Sequence, residues 1–335
     1  MNTLPSMDPS LIMEIPQDLV RVDPRPIRKP RVWTSFAVWL SAIILGTIAS
    51  VAAFILVGVV MGIVMGTQGL DAATIQTRVQ DAVSQPLPAL LLTLLPFQFG
   101  MMLVVLFAAR RSPEPLQQRL GLLPSSGRAS GRIRVATMAG FTLASALAAV
   151  IGSSLLLGDV SETSLAAAIN NGSWGTITLL SIILSVVPAL VEAILCRGYI
   201  QRRLLERWSA PMAIGTSTLL FAVIHADSLQ HIIGVVPLGI VTGMLAFRTN
   251  SVRPAMLVHA IHNAAAVGFG ALMAMLAPRL GDETLGFIVI GLIAMLGLIG
   301  LPAVVSLMKR VPSESIDREP GAPHPAVEML AADAA

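Results

Sequence analysis

The sequence gathers one carboxylate and several imidazoles in its apolar second half. Glu192 is the one acidic residue well inside a predicted membrane-spanning segment, and His225, His231, His259 and His262 all follow it closely. A charge within such a segment costs on the order of 2.5–3.5 kcal/mol by insertion scales, so it is usually retained for function. A carboxylate beside imidazoles can act as a general base or bind a metal such as Zn²⁺.

The spacing of these residues indicates which of them can meet. If the helix that carries Glu192 is followed by a tight antiparallel turn, His225 lies opposite Glu192 at a similar depth. The next hairpin places His259 and Asn263 one helical turn apart on one face. The depths of His259 and Glu192 match less well, so tilt or a kink at Pro188 would have to reconcile them.

The segments that must position these residues are apolar enough to lie in a membrane. Of the 335 residues, 55% are hydrophobic and only 12% are charged, with a mean hydropathy of +0.79. Soluble domains average about 25% charged residues. The low aromatic content and the lack of period-two alternation argue against a β-barrel, and helices are the other structure that satisfies backbone polar groups in hydrocarbon. We therefore predict an all-α, multi-pass bundle in the lipid bilayer of the cell membrane.

Eight apolar runs predict about eight transmembrane helices. They cover roughly residues 36–65, 87–109, 135–157, 176–200, 210–226, 231–247, 254–277 and 285–308. The fifth and sixth are short and are separated by a polar stretch, so they are two tilted helices or partly re-entrant segments. The first run starts too late and is too long for a cleavable signal peptide.

The basic residues report membrane orientation rather than nucleic-acid binding. They lie before the first span and in every second loop, which predicts that both termini are cytoplasmic. Because they form no aromatic-rich basic patch, we expect no nucleic-acid partner. The predicted organisation is a disordered tail at 1–32, a membrane domain at 33–310 and a second disordered tail at 311–335.

Three short motifs resemble those of the CPBP family, which includes type 2 CAAX prenyl proteases and bacteriocin-processing homologues. Glu192-Ala193-Ile194-Leu195-Cys196-Arg197 is similar to its E-E-x-x-x-R motif, and Phe221-Ala222-Val223-Ile224-His225 to its F-x-x-x-H motif. His259-Ala260-Ile261-His262-Asn263 is similar to its H-x-x-x-N motif. The motifs follow the family order over about residues 175–270, the predicted family core.

The resemblance implies an intramembrane endopeptidase that acts on a membrane-associated protein or peptide, with a polar cavity open to the cytoplasmic side. By the same resemblance, Glu192 is the general base that activates water, and His225 positions it or shares its proton. His259 and Asn263 would hold the water or a metal, or stabilise the oxyanion. Arg197 would pair with a carboxylate or orient the substrate.

A divalent metal is one of two mechanisms that the sequence leaves open. If Zn²⁺ is required, its tentative ligands are Glu192, His225 and His259, which come from different helices. The other mechanism uses the glutamate and histidine alone.

Ala193 departs from the family motif, which has a second glutamate at this position. If that acid pairs with Arg197 or tunes the first glutamate, its loss changes the site. A non-catalytic scaffold or immunity-type membrane protein with the same fold is therefore an alternative. A proton-coupled transporter that uses Glu192 and the histidines as a relay is a third interpretation, although no internal repeat supports it.

Simpler structural interpretations exist for several of these side chains. A Glu192–Arg197 salt bridge is disfavoured, because residues five apart lie about 140° apart around an α-helix. His259 and Asn263 could instead form hydrogen bonds between helices. His231 and Asp227 are assigned to an outer loop. Cys196 is interpreted as a small packed residue rather than a nucleophile.

Overall fold

The computed structural model describes residues 31–125, 132–157, 169 and 172–308, and every regular element within these ranges is helical. The helices follow one another along the chain, and their bounds are as follows. They are α1 (Trp33–Thr67), α2 (Ala72–Ser84), α3 (Pro86–Arg110), α4 (Leu116–Arg119), α5 (Arg132–Leu157), α6 (Trp174–Leu205), α7 (Ala210–Val223), α8 (Leu229–Thr249), α9 (Arg253–Leu280) and α10 (Asp282–Met308).

Each of the eight predicted spans corresponds to one of these helices. Seven helices are long and apolar enough to cross a membrane, and α7 is a shorter apolar helix. The prediction of an all-α, multi-pass membrane bundle is confirmed. The predicted tails lie almost wholly outside the described residues. Their assignment and the cytoplasmic orientation of both termini stay predictions.

Two helices were not predicted from the sequence. α4 is a single turn, and α2 has no buried residue. α2 begins at Asp71, whose Oδ1 accepts a hydrogen bond from the Thr74 backbone N–H at 3.0 Å. The hydrogen bonds from Thr74 hold the pKa of Asp71 below its usual value. This cap is a local signal for a helix start, but the segment is too polar and too short to register as a span.

α1 and α3 pack through small residues. The buried residues of α1 include Ala42, Gly46 and Ser50, at intervals of four. A Cβ atom on Gly100 of α3 would lie 2.7 Å from the Cα atom of Gly46, so the two backbones are in direct contact. Ser50 also donates a hydrogen bond to the Thr93 carbonyl oxygen at 2.7 Å. Close contacts of this kind stabilise helix pairs in membranes, and here they fix α3 against α1.

α6 is the central helix of the bundle and packs against α1, α3, α7, α8 and α9. It is α-helical from Trp174 to Glu192, π-helical from Ala193 to Gln201, and α-helical again to Leu205. All nine residues of the π-helical part are buried. π-helical distortions inside α-helices occur frequently at functional sites. The first residue before this distortion is Glu192.

The short helix α7 creates a polar turn between α7 and α8. It has 14 residues, which corresponds to a rise of about 21 Å, whereas the hydrocarbon core of a bilayer is about 30 Å thick. The non-helical turn at 224–228 follows, before α8 begins at Leu229. The fifth and sixth spans are therefore two separate helices. His225 lies in the turn that joins them.

Candidate active site

Glu192 lies at the junction between the α-helical and π-helical parts of α6. Its side chain is 3% exposed. Pro188, one helical turn earlier, lies inside the same helix. An isolated carboxylate in such an apolar setting is costly unless polar groups surround it. The groups that approach Glu192 therefore define the candidate site.

Two imidazoles converge on one carboxylate oxygen of Glu192. The Nε2 atom of His225 lies 3.8 Å from Glu192 Oε2, and the Nε2 atom of His259 lies 3.9 Å from the same oxygen. Glu192 Oε2 is buried and has no hydrogen-bond partner within the described part of the chain. The hairpin argument thus predicted the proximity of His225 correctly. It underestimated His259, which is equally close.

The tautomer of a neutral His225 follows from its other ring nitrogen. Nδ1 lies 3.0 Å from the Phe221 carbonyl oxygen. A carbonyl oxygen only accepts hydrogen bonds, so Nδ1 carries the proton and donates it. In the neutral ring Nε2 is then an acceptor, and it is this atom that faces Glu192. The side chain of His225 is 17% exposed, so this edge of the site is more accessible than Glu192 itself.

Phe221 packs against three polar side chains of the site. Its ring lies edge-on to His225 and to His259, with centroids 4.9 and 5.6 Å apart, respectively. The guanidinium carbon of Arg197 lies 4.0 Å from the centre of the same ring. Phe221 is fully buried. The aromatic residue of the F-x-x-x-H motif therefore holds both imidazoles and the arginine in fixed relative positions.

Arg197 is buried beside the site without a carboxylate partner. It is 1% exposed, and its Nη1 and Nη2 atoms make no hydrogen bond to any described residue. The π-helical turn brings residues five apart to similar sides of α6. The separation of about 140° expected for an α-helix therefore does not apply here. Arg197 interacts electrostatically with Glu192, but the two form no ion pair.

Asn263 repairs a backbone defect that Pro188 creates. Because proline has no backbone N–H, the carbonyl oxygen four residues before it, on Leu184, loses its helical donor. Asn263 Nδ2 donates a hydrogen bond to this oxygen at 2.9 Å. The bond ties α9 to α6 one turn from Glu192. It uses one N–H of the Asn263 amide, and the predicted contact of Asn263 with a water, a metal or an oxyanion stays a prediction.

This arrangement predicts thermodynamic coupling between Asn263 and Pro188. Asn263→Ala leaves the Leu184 carbonyl unpaired and is expected to lower the free energy of unfolding by about 1–2 kcal/mol. In a Pro188→Ala background the new N–H can bond to Leu184, so the same change should cost clearly less. Unfolding by denaturing detergent would measure both steps. An equal cost of Asn263→Ala in the two backgrounds would contradict the assignment.

The two remaining histidines of the cluster have other partners. His262 is buried, and its Nδ1 lies 3.0 Å from the Thr142 hydroxyl on α5. His231 lies in the first turn of α8 and pairs with Asp227 at 2.8 Å. The ring of His231 also contacts that of His225, with centroids 4.9 Å apart. The sequence assigned His231 to an outer loop and did not predict this contact.

Gln98 is the residue of the site that sequence reasoning missed. It lies on α3, and its Nε2 donates a hydrogen bond to Glu192 Oε1 at 2.7 Å. A polar residue within an otherwise apolar run, as in Leu95-Pro96-Phe97-Gln98, is a usable signal because such residues bond across helices. Cys196, in contrast, is fully buried, as a packed residue should be.

The tentative zinc ligands are not arranged as a recognisable metal centre. Within the described ranges, no three side chains of His, Cys, Asp or Glu are grouped so that they could hold a metal ion. Glu192, His225 and His259 approach one another without the shared geometry of such a site. Their assignment as zinc ligands stays a prediction, and no step below depends on a metal.

The comparisons with known proteins bear on the segment that forms this site. Residues 174–265 match the family described as type II CAAX prenyl endopeptidase Rce1-like. The match confirms the resemblance to the CPBP family of CAAX proteases, and it includes Glu192, Arg197, His225, His259 and Asn263. No curated protein and no solved structure matches the chain. The helices before Trp174 and those after the first turns of α9 lie outside the matched segment.

Proposed function

We propose that this membrane protein is an intramembrane endopeptidase that hydrolyses peptide bonds of membrane-associated proteins or peptides. The observation that carries the proposal is the convergence of two imidazole nitrogens on one buried oxygen of Glu192. The Rce1-like match of the same segment points to proteolysis. The position of the site in a bundle of apolar helices favours substrates that are themselves bound to the membrane.

The spacing around Glu192 suits a bound water molecule. Distances of 3.8 and 3.9 Å are too long for direct hydrogen bonds, but a water can bridge groups at such separations. The turn at 224–228 gives a reason for water at this depth, since non-helical backbone is tolerated in membranes where it lines a wet cavity. His225, at the accessible edge, would admit and orient that water.

In the proposed reaction Glu192 acts as the general base. Its Oε2 takes a proton from water as the water oxygen forms a bond to the carbonyl carbon of the scissile peptide. The carbon–nitrogen bond then breaks, and the leaving amine takes the proton back from Glu192, directly or through His225 Nε2. His259 orients the water from the other side. Arg197 contributes positive charge near the developing oxyanion.

A cleavage assay with a defined probe tests this proposal. Purified protein in detergent is mixed with an internally quenched peptide that ends in a farnesylated CAAX sequence, and the products are identified by mass spectrometry. An unprenylated copy of the peptide tests whether the lipid is needed. Metal content of the purified wild type and of His259→Ala, measured alongside, distinguishes a metal-dependent reaction from one that uses Glu192 and His225 alone.

Ala193 supports the alternative of a non-catalytic protein with the same fold. Ala193 is 1% exposed, so its side chain packs in the core next to Glu192. If the site is complete as it stands, Ala193→Glu adds a buried charge and is expected to leave kcat within about threefold or to lower it. The same peptide assay measures the effect. A gain of more than about tenfold would favour the alternative, in which the natural site is incomplete.

A further inference from the structure

Gln98 occupies a core position where an apolar residue would be expected. It is 2% exposed, and it shares one face of α3 with the buried residues Met101, Val105 and Ala109. These residues recur at intervals of three or four, so that face is turned towards the bundle interior. An amide at such a position is costly unless it makes hydrogen bonds. Its presence therefore calls for a specific role.

The hydrogen bond of Gln98 selects which oxygen of Glu192 faces the imidazoles. An amide nitrogen only donates and a carboxylate only accepts, so Nε2 is the atom that meets Glu192 Oε1. With Oε1 held in this way, Oε2 is the oxygen that lies near His225 and His259. Rotation of the carboxylate about its last bond would break the contact with Gln98.

Only one end of the Gln98 side chain is satisfied. Gln98 Oε1 and Glu192 Oε2 are both buried without a hydrogen-bond partner among the residues that the structure describes. An amide retained only to join helices is expected to use both of its ends. The pairing with Glu192 is thus the one contact that accounts for a glutamine at this position.

We infer that Gln98 is a positioning residue that fixes the Glu192 carboxylate for catalysis, an inference that rests on the proposed role of Glu192 as the base. An amide N–H suits this task because it binds the carboxylate without accepting the proton that water gives up. The neighbouring Ala193 has no polar side chain, so α3 provides the partner of Glu192. The contact of Gly100 with Gly46 holds α3 in place two residues away.

This role extends the site beyond the segment that matches the protease family. Gln98 precedes residues 174–265, so the first half of the chain completes the surroundings of Glu192. The positions of α1 and α3 then bear directly on activity, because their packing sets the height of Gln98. A positioning residue of this kind acts on the rate of the chemical step more than on substrate binding.

Gln98→Leu tests the inference through a split between kcat and KM. With the farnesylated peptide as probe, kcat is expected to fall by about 10- to 100-fold while KM stays within about twofold. Gln201→Leu is the matched control, since Gln201 is also a buried glutamine and donates to the Gly243 carbonyl oxygen at 2.8 Å. The control should lose thermal stability to a similar degree but keep kcat within about threefold. Equal losses of kcat in both variants would overturn the inference.

The infrared band of the Glu192 carboxyl group gives a second readout that does not need activity. The band is assigned by its loss in Glu192→Gln, and it should shift in Gln98→Leu but not in Gln201→Leu. An unshifted band, or a shifted band with unchanged kcat, would overturn the positioning role. If wild type cleaves no peptide, the proposed function fails, whereas the hydrogen bond is still tested by the band shift.

Discussion

Replacing Glu192 by glutamine is expected to lower kcat/KM for the farnesylated peptide by about 10²- to 10⁴-fold, the range typical of a lost general base. Glutamine keeps the size of the side chain and an oxygen that can accept the hydrogen bond from Gln98. It cannot take a proton from water at neutral pH. The loss should therefore appear in the rate rather than in the amount of folded protein.

Folding of the Glu192→Gln variant can be checked separately from activity. The change removes a charge from a position that is 3% exposed, so we expect the variant to accumulate in the membrane at least as well as wild type. Its thermal stability in detergent should be equal or higher. Peptide cleavage at more than about a tenth of the wild-type rate would mean that another group activates the water.

The second large effect is expected for His225→Ala. This change removes the imidazole nitrogen that lies 3.8 Å from Glu192 Oε2, along with the more accessible edge of the site. We expect kcat/KM for the same peptide to fall by about 10²-fold or more, because the water and the transferred proton lose a partner. The measurement is a steady-state rate with purified protein.

His231→Ala is the natural control for His225→Ala. Both histidines lie near the turn at 224–228, and their rings are in contact. His231, however, hydrogen-bonds to the exposed Asp227 rather than approaching Glu192. Its replacement should leave kcat/KM within about threefold. A similar loss in both variants would show that the turn as a whole matters and not the Nε2 atom of His225.

The fold could be predicted from the sequence because lipid restricts the alternatives. Eight apolar runs gave eight helices, since a membrane-embedded backbone must satisfy its polar groups within a helix or a closed barrel. α2 could not be found in this way. Its 13 residues are polar, and its main signal is the Asp71 cap rather than hydropathy.

The site was predictable where it depends on sequence spacing and hidden where it depends on irregular geometry. Opposition across a tight hairpin was enough to place His225 near Glu192. The approach of His259 was not, because the π-helical part of α6 changes the direction of every side chain from Ala193 onward. No periodicity in the sequence signals that distortion.

Contacts between distant helices were the least visible part of the site. Gln98 and Glu192 are separated by 94 positions in the chain, and only the packing of α3 on α6 brings them together. The bond from Asn263 to Leu184 is similar, since it depends on the carbonyl that Pro188 leaves unpaired. In both cases the residue type was a clue, but the partner could be identified only from the structure.

The most direct test of the account compares purified wild type and Glu192→Gln on the farnesylated, quenched peptide, with products identified by mass spectrometry. The account predicts that wild type cuts the peptide at a defined bond and that Glu192→Gln, equally folded, gives products at a rate at least about 10²-fold lower. Cleavage at the same bond and at the same rate by both proteins would contradict it.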